Sequence, residues 1–254
     1  MRRESIDLNA DIGEGCGSDD QLVPLVSSVN IACGAHAGDD DTMRGAVALA
    51  LRHGAAIGAH PGFADRENFG RRELPINPVA AAGLVVAQTR ILRDIAWALG
   101  ARLGHVKLHG ALYNMAARDA ALAEAVVDAL VAETREPGRA LILVTLAGST
   151  MEAIARKRGL RVLGEAFADR TYRRNGSLMP RSQPGAVISD AAAAARQALR
   201  IAAQGVVRCE DGTDIAVDAG TVCLHGDGPS AVEFARAIRR DLSLEGIAVR
   251  SPAP

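Results

Sequence analysis

Short apolar runs alternate with longer, Ala-rich segments along the chain. Seven of the short runs read as strands, at residues 5–11, 28–36, 55–60, 105–109, 140–146, 161–167 and 221–225. Segments near 42–53, 78–99, 120–133, 149–158, 189–204 and 230–242 read as helices. Asn77 followed by Pro78 suits a helix start. Gly54, Gly100, Gly159 and Gly205 each follow a helical run, where a left-handed C-cap favours glycine. Residues 206–217 (VVRCEDGTDIAV) break the rhythm, and Asp211-Gly212 suits the turn of a β-hairpin. Repeated strand–helix units imply a parallel sheet with right-handed crossovers. No internal repeat or low-complexity linker interrupts them, so the reading is one domain over residues 1–254 with the hairpin as an insert.

Side chains alternate faces along a strand. Asp7, Asn9 and Asp11 then oppose Ile6, Leu8 and Ala10, and Asn30 and His36 oppose Val29, Ile31 and Cys33. Gly58 and His60 oppose Ile57, Lys107 and His109 oppose Val106 and Leu108, Glu165 opposes Val162 and Gly164, and His225 opposes Val222 and Leu224. Six of the seven strands thus offer polar groups on one face only. In a barrel the outer face packs on helices and must be apolar, while the inner face can form a polar lumen. The pattern predicts a distorted seven-stranded parallel β/α barrel rather than an open doubly wound sheet. Five of these polar groups fall at the carboxyl ends of their strands, where active sites of parallel α/β folds lie.

Composition supports a barrel and narrows the partners. A chain of 254 residues with 48% hydrophobic residues can bury a large core, and with only 3% aromatics that core is aliphatic. The formal net charge of -1 gives no footprint for nucleic acid or membrane. The first residues lack the apolar stretch of a signal peptide, and no run is long enough to span a bilayer. Cys16, Cys33, Cys209 and Cys223 show no CxxC spacing and read as free thiols of a cytoplasmic protein. Two long strand-end loops concentrate Arg66, Arg71, Arg72, Arg170, Arg173 and Arg174. Guanidinium forks bind carboxylate and phosphate; a solvated basic surface is the plainer alternative.

The strand-end motifs DLNADIGEG, VNIACGAHAGD, GAHPGFADRENFGRREL, VKLHGALYN, EAFADRTY and CLHGDGP resemble the LamB/YcsF family, in order from Asp7 to about Ser230. The resemblance implies a seven-stranded β/α barrel like that of the carbohydrate deacetylases. It also implies 5-oxoprolinase activity, the ATP-dependent opening of 5-oxo-L-proline (pyroglutamate) to L-glutamate, in a complex with two further subunits, B and C. Self-association stays open.

Such a reaction needs a carboxylate site, a triphosphate site, activated water and a proton for the leaving nitrogen. On this reading Asp11 serves as general base or metal ligand, and His109 as the acid. Lys107 neutralises a developing oxyanion, and Glu165 joins the catalytic set. Asn9, Glu14, Asn30, Arg66, Arg71, Arg72, Arg170, Arg173 and His225 are candidates to bind substrate or Mg2+-ATP. Asp11, His36 and His60 would hold a divalent metal if one is bound; hydrogen bonding alone would need the same residues. No GxxxxGK[ST] loop is present, so ATP binds without one or mostly on a partner. Two other readings compete: a metal-dependent deacetylase or amidohydrolase acting on an N-acyl sugar, and a non-catalytic scaffold.

Overall fold

The computed structural model describes residues 3–135, 140–225 and 230–252; residues 226–229 of the closing CLHGDGP motif lie outside them. Seven parallel strands close into a barrel: β1 (Ser5–Ile12), β2 (Ser28–Ala32), β3 (Ala56–His60), β4 (Leu103–Lys107), β5 (Ile142–Leu146), β6 (Arg161–Phe167) and β9 (Thr221–Leu224). Closure comes from pairing of β1 with β9, in the register Asp7 with Thr221 through Ala10 with Leu224. The expected hairpin is present as β7 (Val206–Arg208) and β8 (Asp214–Ala216), paired antiparallel. A short last strand, β10 (Ala248–Val249), adds beside the start of β1.

The helices are α1 (Asp19–Leu22), α2 (Asp40–His53), α3 (Pro78–Ala98), α4 (Gly110–Arg118), α5 (Ala120–Glu133), α6 (Thr150–Lys157), α7 (Ala191–Gln204) and α8 (Ala231–Leu244). Side chains of Asp39, Asn77, Asp119, Ser149 and Asp190 accept backbone N–H groups at helix starts. Gly54 and Gly205 end α2 and α7 in the left-handed conformation. No described helix is long and apolar enough to cross a membrane.

The core lies between barrel and helices. Leu8, Ala10, Val29, Ile31, Ala59, Val106, Leu143, Ala166 and Val222 are buried on the outer face of the strands. The inner face carries the opposite parity, and its polar members are buried as well. β5 is the exception: Ile142 and Val144 stand in register with His105 and Lys107, so this wall of the lumen is apolar.

β2 and β4 depart furthest from the sequence reading. β2 stops at Ala32, so His36 owes its position to a loop and not to strand parity. Gly34 and Gly38 have φ of 86° and 74°, and the carbonyls of both accept from Arg66. That turns the loop back over the barrel mouth. β4 covers 103–107 rather than 105–109, because the His109 N–H leaves the sheet to reach the Pro61 carbonyl at 2.8 Å. His109 then caps α4, a helix the sequence reading did not assign.

Candidate active site

Hydrogen bonds fill the lumen from the bottom. Asp7 accepts from the hydroxyls of Ser27 (2.7 Å), Ser28 (2.8 Å) and Thr221 (2.6 Å), and burial raises its pKa. One layer higher, Asn9 donates to Glu165 Oε1 at 3.0 Å, and Asn30 donates to Asn9 Oδ1 at 2.8 Å and Asp11 Oδ1 at 2.9 Å. His105 Nε2 donates to Asn30 Oδ1 at 2.8 Å. Burial drives the pKa of His105 down to about 3, so its ring is neutral.

Lys107 crosses the lumen above this layer. Its Nζ lies 2.9 Å from both Asp11 Oδ1 and Glu165 Oε1, 3.1 Å from Cys223 Sγ and 3.3 Å from Asn9 Oδ1. Burial alone would favour the neutral amine; the facing carboxylates outweigh it and hold the ammonium well above its ordinary pKa. Burial likewise opposes ionisation of Asp11, yet His60 and Lys107 hold it well below the usual carboxylate range. The charges are compensated inside the barrel, the condition under which buried ions persist.

Three imidazoles meet at the mouth. His36 stacks on His109 with centroids 3.7 Å apart and planes parallel, and His60 meets both edge-on. His60 Nε2 lies 3.3 Å from Asp11 Oδ2, and His36 Nε2 donates to Glu14 Oε1 at 3.2 Å. Burial pushes His36 down to about 3 and His109 well below its ordinary value. Small residues make room: a Cβ on Gly62 or Gly70 would come within about 3 Å of His36 and His109.

Across the mouth, His225 Nδ1 donates to Asp169 Oδ2 at 2.7 Å, and the ring stacks on Phe167. Burial would raise the Asp169 pKa, but the charge and hydrogen bonds of His225 bring it below the ordinary value. With Nδ1 committed, Nε2 is the His225 atom left for a ligand.

These groups open into a cavity of about 1020 Å³ whose inner wall includes Asp11, His60, Lys107, His109 and His225. Its rim includes Arg71, Arg118, Arg170, Arg173, Arg174 and Arg181. Asn9, Asn30 and Glu165 lie beneath it, holding Lys107 and Asp11. Arg170 is buried and donates to the carbonyls of Ala186 and Met179, and burial drops its pKa to about 10. Arg66 grips the His36 loop, and Arg72 is exposed, 3.6 Å from Asp65. The sequence reading missed His105 and Cys223, although parity with Lys107 and His225 marked them. It also missed Asp169, two residues beyond β6, where strand parity no longer applies.

Among the described residues, two groups gather three or more metal-competent atoms within 4.8 Å of one another: Glu14, His36, His60 and His109, and Asp11, Cys223 and His225. The expected trio of Asp11, His36 and His60 is thus split between the two. The donor chemistry of the first group, imidazoles beside a carboxylate, fits a divalent metal.

A closed parallel barrel whose polar lumen opens at the strand ends into a cationic mouth defines the class: a β/α-barrel enzyme with carboxylate, imidazole, ammonium and guanidinium groups in one cavity. Within that class, the chain belongs to the LamB/YcsF family, whose model matches residues 6–254. It is 49% identical over 252 residues to the A subunit of 5-oxoprolinase from Shouchella clausii, covering 97% of this chain and 98% of that one. It is 50% identical to the A subunit of 5-oxoprolinase from Bordetella pertussis, at the same coverage of both chains. Its fold is similar to the crystal structure of the lactam utilization protein from Thermus thermophilus. That match has a TM-score of 0.88 at 46% identity, covering 98% of this chain and 100% of that one.

Proposed function

We propose that this chain opens 5-oxo-L-proline to L-glutamate at the expense of ATP, within a 5-oxoprolinase completed by subunits B and C. The observation that carries the proposal is near-full-length likeness, at about half identity, to proteins of that name. The cavity supplies the groups a lactam needs, which favours this reading over the deacetylase and scaffold alternatives.

A five-membered lactam is a resonance-stabilised amide, and its opening needs a driving step. Transfer of the ATP γ-phosphoryl group to the lactam oxygen releases ADP and makes the ring carbon electrophilic. Water adds there, the carbon–nitrogen bond breaks with a proton passing to nitrogen, and the resulting γ-glutamyl phosphate reacts with a second water to give glutamate and phosphate. Lys107 faces the charge that develops on oxygen. Asp11, kept ionised, holds Lys107 and orients water, and Glu165 positions Lys107 from below. His109 is neutral, with Nε2 donating to the Phe69 carbonyl, so it is poorly placed to release a proton. His225, aligned by Asp169, takes the role of acid toward the leaving nitrogen. The arginine rim receives the substrate carboxylate and the phosphates of Mg2+-ATP.

The test is an assay of the chain with its partner subunits on 5-oxo-L-proline. The expected result is glutamate and phosphate in equal amounts, dependent on ATP. Glutamate release without ATP, or deacetylation of an N-acyl sugar with no lactam opening, would replace this reading.

A further inference from the structure

At the mouth, two imidazole nitrogens face each other, His60 Nε2 and His109 Nδ1. His60 Nδ1 lies 2.8 Å from the Lys107 carbonyl oxygen, and His109 Nε2 lies 2.8 Å from that of Phe69. A carbonyl only accepts, so those nitrogens carry the ring hydrogens. With both rings neutral, the opposite nitrogens, His60 Nε2 and His109 Nδ1, are bare acceptors only 2.9 Å apart; a proton on His60 Nε2 would serve Asp11 or His109 but not both. Their other neighbours accept as well. Glu14 Oε1 is 3.4 Å from His109 Nδ1 and 3.9 Å from His60 Nε2, and Asp11 Oδ2 is 3.3 Å from His60 Nε2. None of these four side chains is more than 5% exposed. A single proton bridges one pair; a multivalent cation answers the whole set.

We propose that His60 Nε2, His109 Nδ1 and Glu14 Oε1 bind a divalent transition metal, with a fourth position open toward the cavity. An outer N–H bonded to a backbone carbonyl is the arrangement that orients metal-bound histidines. For bonds of about 2.0–2.1 Å a tetrahedral edge is about 3.3–3.4 Å. The three separations of 2.9, 3.4 and 3.9 Å bracket that value. Imidazole and carboxylate together suit zinc, cobalt, nickel or iron. His36 lies in a plane parallel to His109, so its lone pairs do not converge on the same point; it donates to Glu14 and orients it. Bound there, the metal would act as a Lewis acid beside Lys107. The site is built from this one chain and does not depend on the reaction assigned above.

The test uses the full chain stripped with a chelator and titrated with Co2+ and Zn2+, read by metal content, by the visible absorption of four-coordinate cobalt and by melting curves. The expected result is one metal per chain with a tetrahedral cobalt spectrum. His109→Ala and Glu14→Gln should weaken binding by about a hundredfold or more, and His36→Ala by about tenfold, as loss of an orienting partner does. His225→Ala should bind normally, since that side chain belongs to the second cluster. Should His109→Ala fail to fold, His60→Gln and the wild-type cobalt spectrum decide. Folded wild-type protein that takes up no stoichiometric metal overturns the proposal, and so does binding lost in His225→Ala but kept in His109→Ala.

Discussion

At the scale of single residues, Lys107 has two roles that mutation can separate. Its ammonium stands between Asp11 and Glu165, each 2.9 Å away. Lys107→Met leaves two buried carboxylates uncompensated, and breaking such a pair costs about 3–5 kcal/mol. Turnover should also fall by about a hundredfold, as loss of one preorganised oxyanion donor does. The double variant Lys107→Met/Glu165→Gln neutralises one of the two uncompensated carboxylates without restoring the ammonium. Its melting temperature should recover in part while turnover stays low. If turnover recovers together with the melting temperature, Lys107 is a counter-ion and nothing more.

At the scale of elements, the helix pair α3 and α5 is joined at one end by Glu133, which accepts from Arg90 at 2.6 Å and Arg93 at 2.8 Å. These hydrogen bonds, Arg90 first, hold the Glu133 pKa below its ordinary value against the opposing effect of burial. A lowered carboxylate pKa stabilises the fold above its unfolded value, and the contribution is lost as pH falls through the folded one. Glu133→Gln should therefore cost about 1 kcal/mol near pH 7, discounted for the exposure of Arg90. In urea unfolding the gap to wild type should close as pH drops below about 4; a gap that persists in acid would point to lost packing instead.

Elements were the most legible part of the sequence, for a physical reason. Outward Leu8, Val29, Val106 and Val222 must be apolar to meet helices, so the two-residue period survives in the chain. What blurred the reading was backbone bonding between distant segments. The turn of His109 toward Pro61 ends β4 early and starts α4, and no local pattern announces it. Strand parity places His36 at the mouth; it does reach the mouth, but through the Arg66-braced loop. Asp169 and the pairing of Glu14 with His36 depend on loop geometry, which periodicity does not encode.

At the scale of the whole molecule, the cavity is sided. Its floor is the Asp–His–Lys lumen, its rim is arginine, and Leu146 and Phe167 supply apolar wall. A cationic rim draws anions over distances that salt screens. Arg173 is half-buried and donates to Gln183 at 3.2 Å. Arg173→Ala should raise the KM for ATP by about three- to tenfold at low ionic strength, less at high salt, with little change in kcat. A fall in kcat at unchanged KM would move Arg173 from the rim to the reacting centre.

The pairing that closes the barrel also sets a schedule for its birth. Asp7 and Thr221 bond across 214 residues of chain. Of the barrel strands, the first to leave a ribosome is thus the last to be enclosed, and at about 5–20 residues per second it waits roughly 10–40 s for the strand that closes the barrel. Through that interval the nascent sheet carries an open edge, and Asp7 and Asn9 lack the Thr221 hydroxyl that completes their bonding. The polar lumen of the finished protein makes the incomplete one hydrophilic inside, which disfavours premature collapse before the closing strand arrives.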